Sequence, residues 1–297
     1  MDKLIIITGP TAVGKTKCSL EIAKRFNTEL INGDAYQVYK GMNIGTAKPT
    51  TKELSMIKHH MIDCIDPIHE FDVSKYQTMV RGIIDDFIQN NKLPIIVGGS
   101  GLYLESIFLN YEFEKEEPDN SIDYAGYSND ELYSLLKDLN PEIANNIHPN
   151  NRKRVERALT KINQNESFGN KKDEMIYDTL VIFLNDDRDK LYSRINSRVD
   201  EMINDGLIEE CKKLKNLPLS KTAKVAIGYK EIFKALDGEI SIDEAIEEIK
   251  LNSRHYAKRQ LTWFRNKSYI TNVMIDVSNF NKTIDDVEKL IKDFLNK

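Results

Sequence analysis

Leu4-Ile5-Ile6-Ile7-Thr8-Gly9-Pro10-Thr11-Ala12-Val13-Gly14-Lys15-Thr16 lays down a strand and a glycine-rich turn near the start of the chain. Leu4 to Thr8 is a short apolar, β-branched run, the pattern of a buried strand. Gly9 to Thr16 fits G-x-x-x-x-G-K-[ST] without a mismatch. Helix formers follow to Phe26, with Leu20, Ile22, Ala23 and Phe26 available to pack against a sheet. A strand, a glycine-rich turn and a helix in that order aim backbone N–H groups and a helix N-terminus at one concave spot where an anion sits. Lys15 adds a point charge, and the Thr16 hydroxyl is placed to reach a Mg²⁺ that shares the phosphates. Gly9, Pro10, Thr11, Ala12, Val13, Gly14, Lys15 and Thr16 are therefore expected to hold a di- or triphosphate. Many chemistries share this cradle, so the reaction must be read elsewhere.

The 297 residues are enough for one large or two modest domains with a real core. No apolar run approaches bilayer length, and Met1-Asp2-Lys3 leads straight into the first strand, so neither a membrane span nor a signal peptide is expected. Cys18, Cys64 and Cys211 are scattered and odd in number. They suggest no disulfide framework and no zinc site, and they point to a reducing cytoplasm. A net charge of −5 argues against nonspecific polyanion binding by the whole molecule but leaves room for local basic faces.

Glu29-Leu30-Ile31-Asn32-Gly33 reads as a second strand that delivers Asp34 at its carboxyl end, where ligands of parallel sheets sit. The alternative for Asp34 is a helix N-cap. Gly41 to Pro49 is a loop rich in glycine and small polar residues, beside the phosphate site and long enough to be functional. The adjacent His59 and His60 point to different faces of any element, which disfavours a two-histidine metal site. Phe71 to Asn90 is predicted helical. Leu93 to Val97 is another buried strand, closed by Gly98-Gly99-Ser100-Gly101, either a plain tight turn or a place where a ligand approaches the backbone. No acidic residue closes that strand, although an ATPase places its metal-binding carboxylate near there.

From Tyr111 to Asn146 the texture changes. Glu112, Glu114, Glu116, Glu117, Asp119, Asp123 and Asp130 form an acidic stretch, then an amphipathic run leads to Leu139. This predicts a small helical insertion over 111–146, set into a core of 1–110 and 147–297. Arg152 to Lys161 is a basic helix with Val155, Ala158, Leu159 and Ile162 inward, its outer face either simply solvated or a phosphate contact. Leu180 to Leu184 is a further strand. In the helix after it, Arg194 and Arg198 stand four residues apart, suited to a pyrophosphate or else to surface pairing with neighbouring aspartates. Arg254 to Lys267 interleaves cations with Tyr256, Trp263 and Phe264, a pattern that fits phosphate contacts with base stacking, while Leu261 and Phe264 read as core. A closing amphipathic helix is expected from Asn281 to Lys297.

Seven ordered blocks now resemble the tRNA dimethylallyltransferase family. They are 9–16, Asp34 with Tyr39-Lys40-Gly41-Met42, Ile44 to Pro49, Val97 to Tyr103, Ile147 to Asn150, Ile227 to Lys230, and Ala257 to Arg265. The resemblance implies an α/β fold: a P-loop NTPase-like core with a parallel β-sheet flanked by helices, plus the small helical insertion. It implies transfer of a dimethylallyl group from dimethylallyl diphosphate to N6 of adenosine 37 in the anticodon loop of tRNAs reading codons that begin with U, with diphosphate leaving and Mg²⁺ assisting. By similarity Asp34 is the base, and Lys15, Thr16 and Arg198 steady the leaving diphosphate. Thr16 is the metal ligand. Ser100 stands where the family commonly has Thr and keeps a hydroxyl for the nucleotide. The tRNA-contacting stretches map onto Asp34, Ala35, Tyr36 and Gln37; Lys153, Arg154, Val155, Glu156 and Arg157; Gly228, Tyr229 and Lys230; and Lys258, Arg259, Gln260, Trp263 and Arg265. No membrane and no obligate protein partner is implied, and a monomer suffices. The eukaryotic C-terminal extension with its cysteines and histidines has no counterpart here, which favours a bacterial type.

Three rivals make different demands. A P-loop nucleoside-monophosphate kinase needs a phosphate sensor and an arginine-rich lid. An adenylate isopentenyltransferase prenylates free AMP and does not need the basic segments. A guanine-nucleotide switch wants Asn-Lys-x-Asp, which Asn185-Asp186-Asp187-Arg188 does not supply.

Overall fold

Leu4, Ile5, Ile6 and Ile7 have no polar group to offer water, and in the computed structural model all four are fully buried in the middle of a six-stranded sheet. The structure describes residues 1–113, 123–164 and 174–297. The chain divides into two units, Met1–Leu109 with Met175–Lys297, and Asn110–Glu174.

In the first unit, β1 (Lys3–Thr8), β2 (Leu30–Asn32), β3 (His59–His60), β4 (Ile95–Val97), β5 (Asp178–Asn185) and β6 (Ile270–Met274) lie in the order β3-β2-β4-β1-β5-β6. Every neighbouring pair is parallel. Ile5 stands opposite Ile95 on one side and Leu180 on the other, so three apolar runs share one register. Runs apolar on both faces suit a parallel sheet, whose two faces are covered by crossover helices. Those before the insertion are α1 (Lys15–Arg25), α2 (Thr51–Met56), α3 (Val73–Gln89) and α4 (Gly101–Phe108). Ile22 and Ala23 of α1 pack with Ile5, Ile7 and Leu30 of the sheet.

The second unit is built from α5 (Asn129–Leu139), α6 (Pro141–Asn145) and α7 (Arg152–Asn163) around Leu132, Leu136, Ala144, Val155, Ala158 and Leu159. This moves the boundary expected from the sequence. Residues 147–174 go with the insertion rather than the sheet, because Val155 and Leu159 of α7 close the core that Leu132 and Leu136 of α5 open. Glu114, Glu116, Glu117 and Asp119 of the acidic stretch lie outside the described residues.

After β5 the first unit resumes with α8 (Arg188–Asn204), α9 (Leu207–Lys215), α10 (Lys221–Lys224), α11 (Tyr229–Leu236), α12 (Ile242–Phe264) and α13 (Phe280–Leu295). Ile284, Val287 and Ile291 of α13 join the core beside α1. Two strands escaped the sequence reading. β3 is two residues long, and β6 is an edge strand, largely half-buried or exposed, with no clear alternation. The succession of strands leaves β1 towards β3 and later departs on its other side through β5 and β6, which makes the carboxyl ends around β1 the place for a ligand. No helix among the described residues is long and apolar enough to cross a membrane.

Candidate active site

The phosphate loop leaves β1 at Gly9, whose φ of +147° and position against the carbonyl of Leu184 leave no room for a side chain: a Cβ there would stand 2.3 Å from that oxygen. Ala12 and Gly14 both have positive φ, and α1 begins with no side-chain cap. Its first N–H groups are thus left to a ligand anion. Lys15 folds back over the loop, its Nζ donating to the carbonyls of Gly9 at 3.0 Å and Pro10 at 2.9 Å. Burial lowers its pKa to about 8, with the Arg198 guanidinium pushing the same way and the Asp34 carboxylate pulling against them.

Two residues hold the loop from outside. Arg194 donates from Nε to the carbonyl of Ala12 at 3.0 Å and pairs with Asp186 at 2.6 Å. Both arginines line the same cleft, with different duties: Arg194 braces the loop, while Arg198 has its guanidinium largely desolvated and its pKa lowered by that burial. Gln260 corrects an expectation. Its Oε1 accepts from the Thr11 N–H at 2.9 Å and its Nε2 donates to the carbonyl of Gly99 at 2.9 Å. Buried, with both ends of its amide engaged, it ties the phosphate loop to the β4 turn instead of facing RNA.

Asp34 caps no helix. Its Oδ1 accepts from the N–H groups of Tyr36 at 2.8 Å and Gln37 at 3.3 Å, and its own N–H is held by Asn32 Oδ1 at 3.1 Å. The turn is fixed again by Gln37, whose Nε2 donates to the carbonyls of Thr46 and Ala47, both at 3.1 Å. Burial raises the pKa of Asp34, while the Tyr36 and Gln37 N–H groups, Lys15 and Arg198 oppose that rise in descending order. Ser100 precedes α4 without capping it, its hydroxyl 3.3 Å from that of Tyr256.

Two cavities open on this arrangement. One, of about 460 Å³, holds the phosphate-loop residues Thr11, Lys15 and Thr16 together with Gln37 and Gly99. The other, of about 270 Å³, is walled by Tyr36, Ile195, Met202, Ile227, Lys230 and Arg259. They share Thr11, Asp34, Thr46, Ala47, Arg198 and Tyr256. An anion cradle and a second, partly apolar chamber thus meet at one carboxylate and one guanidinium.

A family model described as IPP transferase matches residues 37–267. The chain belongs to the IPP transferase family. It is 47% identical over 275 residues to a tRNA dimethylallyltransferase of Anoxybacillus flavithermus, covering 90% of this chain and 88% of that one. A solved tRNA isopentenylpyrophosphate transferase of Bacillus halodurans is 41% identical, with a TM-score of 0.76 over 100% of this chain and 97% of that one. A eukaryotic dimethylallyltransferase captured acting on tRNA is 28% identical, with a TM-score of 0.81 over 97% of this chain and 77% of that one.

The remaining residues singled out in the sequence of this IPP transferase are spread over both units. Ala35, Tyr36 and Gln37 form the turn after Asp34, and Lys230 and Arg259 line the smaller cavity. Arg259 stacks over the Tyr256 ring at 5.6 Å. Lys258 and Arg265 are exposed on the same stretch as Trp263, whose Nε1 donates to Glu105 at 2.9 Å. On α7, Lys153, Arg154 and Arg157 are exposed, Glu156 pairs with Arg152 at 2.7 Å, and Val155 is core. Val155 and the fully buried Tyr229, which bonds Glu210, are unavailable to RNA. Gly228 has φ +95° and starts α11. Thr46 and Ala47 were not singled out as site residues, although their loop stood out by its composition; Tyr256, noted only for base stacking, lines both cavities.

The two histidines go separate ways, His59 to the Ile57 carbonyl and His60 to Glu29. Among the described residues no group of three or more histidine, cysteine or acidic side chains is placed to hold a metal ion. The larger cavity instead offers the Thr16 hydroxyl with Asp34, Glu53 and Glu201 around its wall. That donor set, hard oxygen and sparse, fits Mg²⁺ carried in by phosphate oxygens, since Mg²⁺ keeps few protein ligands and completes its shell from substrate and water.

Proposed function

We propose that this transferase moves a dimethylallyl group from dimethylallyl diphosphate to N6 of adenosine 37 in tRNA anticodon loops. The observation that carries the reading is the meeting of the two cavities at Asp34 and Arg198. The diphosphate takes the larger one, against the loop amides and Lys15, and the adenine, flipped out of its stack, takes the smaller. The exocyclic amine is a weak nucleophile because its lone pair is delocalised into the ring. The N6–carbon bond forms as the allylic carbon–oxygen bond breaks, and the N6 proton passes to Asp34. A carboxylate whose pKa is raised by burial is a better proton acceptor, and this one is already aimed by two backbone donors. Lys15, Arg198 and the loop N–H groups take up the charge that grows on the leaving diphosphate. Thr16 would hold Mg²⁺, which when bound adds positive charge at the same phosphate oxygens. The exposed cations Lys153 and Arg154 on α7 and Lys258 and Arg265 near the end of α12 are assigned to the RNA backbone. The carboxyl end of β4, Val97-Gly98, carries no metal-binding acid of the kind P-loop nucleoside-triphosphate enzymes place there, which speaks against the kinase and switch readings.

The test incubates the protein with Mg²⁺, labelled dimethylallyl diphosphate and unmodified anticodon stem-loops bearing A or G at position 37, with AMP in parallel. Label is expected in the A-bearing RNA alone. Label in AMP would transfer the protein to the free-nucleotide reading.

A further inference from the structure

Glu210 on α9 is a heavily engaged carboxylate near the site, and nothing in the sequence marks it. Oε1 accepts from the N–H groups of Ile44 at 3.0 Å and Gly45 at 3.3 Å, and Oε2 from those of Asn43 at 3.0 Å and Ile44 at 3.1 Å. The Tyr229 hydroxyl adds a donor to Oε1 at 2.6 Å. Three successive backbone N–H groups pointing at one anion form a nest, and here the anion is a side chain of the protein itself. The loop is pressed against that anchor, since a Cβ on Gly45 would lie 2.5 Å from the Tyr229 ring. Its next two residues, Thr46 and Ala47, wall both cavities, and their carbonyls take the Gln37 amide.

We propose that Glu210 is a positioning residue that fixes the Thr46–Ala47 wall between the two substrate cavities. The proposal rests on the prenyl-transfer reading for its kinetic consequence, not for the anchor itself. Without the carboxylate, three N–H groups lose their acceptor at once. The wall keeps the Gln37 amide and the loop's own turn bonds, from Thr46 Oγ1 to the Met42 carbonyl and from the Ala47 N–H to the Ile44 carbonyl, but no tie to α9 through Glu210. Asp34 keeps its own turn, fixed by Asn32 and by the Tyr36 and Gln37 N–H groups. Removing Glu210 therefore loosens substrate placement more than it disables the base.

Glu210→Ala, Glu210→Gln and a control, Cys211→Ala, are compared well below their thermal midpoints. Cys211 is the next residue on α9 and fully buried, so its truncation weakens the same helix while leaving the Glu210 carboxylate in place. Amide exchange over residues 42–48, followed by mass spectrometry, is expected to accelerate in Glu210→Ala, less in Glu210→Gln, and not in Cys211→Ala. KM for both dimethylallyl diphosphate and RNA is expected to rise about tenfold in Glu210→Ala, with a smaller fall in kcat. Unchanged exchange in Glu210→Ala overturns the anchor. Faster exchange with unchanged KM, or the same KM rise in Cys211→Ala, overturns the positioning role. If the wild-type protein transfers no label, the prenyl-transfer reading fails, and the inference is then decided by exchange together with calorimetric binding of inorganic pyrophosphate, which must weaken in Glu210→Ala.

Discussion

Lys15 and Asp34 act on each other's protons: the carboxylate holds the ammonium's pKa up against burial, and the ammonium holds the carboxyl's pKa down against burial. Burial wins at both, so Lys15 sits at about 8 and Asp34 above the ordinary carboxylate range. The same enclosure thus prepares an anion holder that is easily discharged and a base that is readily protonated.

The pH profile of kcat/KM for the prenyl donor should show both. On the alkaline side the free enzyme loses the Lys15 charge as pH rises through about 8, so kcat/KM falls there. Once the diphosphate is bound its negative charge favours the ammonium, so the alkaline limb of kcat lies at higher pH. On the acid side, activity is lost as Asp34 protonates, at a pH above the ordinary range. In Lys15→Met the alkaline limb should vanish and the acid limb move up, because Asp34 has lost a cation that held it down. A wild-type kcat/KM flat to pH 9.5 would remove Lys15 from diphosphate binding.

Asp34→Asn keeps the shape of the turn, since an amide oxygen still accepts from the Tyr36 and Gln37 N–H groups. It cannot take the N6 proton. kcat should fall by about 10²–10⁴, the usual span of general base catalysis, while RNA affinity measured by filter binding changes little. Lost RNA binding with a matching loss of folding would make Asp34 a structural residue instead.

How much of this was legible in the sequence depends on distance along the chain. Gly9 to Thr16 carries its phosphate cradle within eight residues, and Leu4–Thr8 and Leu180–Leu184 showed themselves as buried runs because both faces of a parallel sheet are dry. Asp34 was placed by its position after a strand. The bracing was invisible. Gln260 meets Thr11 across 249 positions and Glu210 meets Ile44 across 166, and no local periodicity carries such a pairing. Gln260 sat among basic and aromatic residues that read as an RNA face, and its burial separates it from them. Val155 shared a motif with exposed cations, yet its place on the inner edge of α7 was already plain from helical spacing.

Chelation should separate chemistry from folding. Among the described residues no cluster of ligands holds a metal without substrate, so EDTA is expected to leave the thermal midpoint of the free protein unchanged. Label transfer should stop and return with added Mg²⁺. A midpoint that drops on chelation would show a resident structural metal, which the Thr16 donor set does not provide.

Gln260 supplies a sharp test of the loop's rigidity, because two substitutions break its bridge differently. Gln260→Ala leaves the Thr11 N–H and the Gly99 carbonyl without partners in a buried place, at a cost of about 1–3 kcal/mol, so the thermal midpoint should fall by several degrees. Gln260→Glu still accepts from Thr11 but turns an oxygen towards the Gly99 carbonyl and adds negative charge beside the diphosphate cradle. KM for dimethylallyl diphosphate should therefore rise several-fold in Gln260→Ala and further in Gln260→Glu, with KM for RNA nearly constant in Gln260→Ala. The opposite split, weakened RNA binding with an unaltered KM for the diphosphate, would return Gln260 to the RNA-contacting role that its neighbours Lys258 and Arg259 suggest.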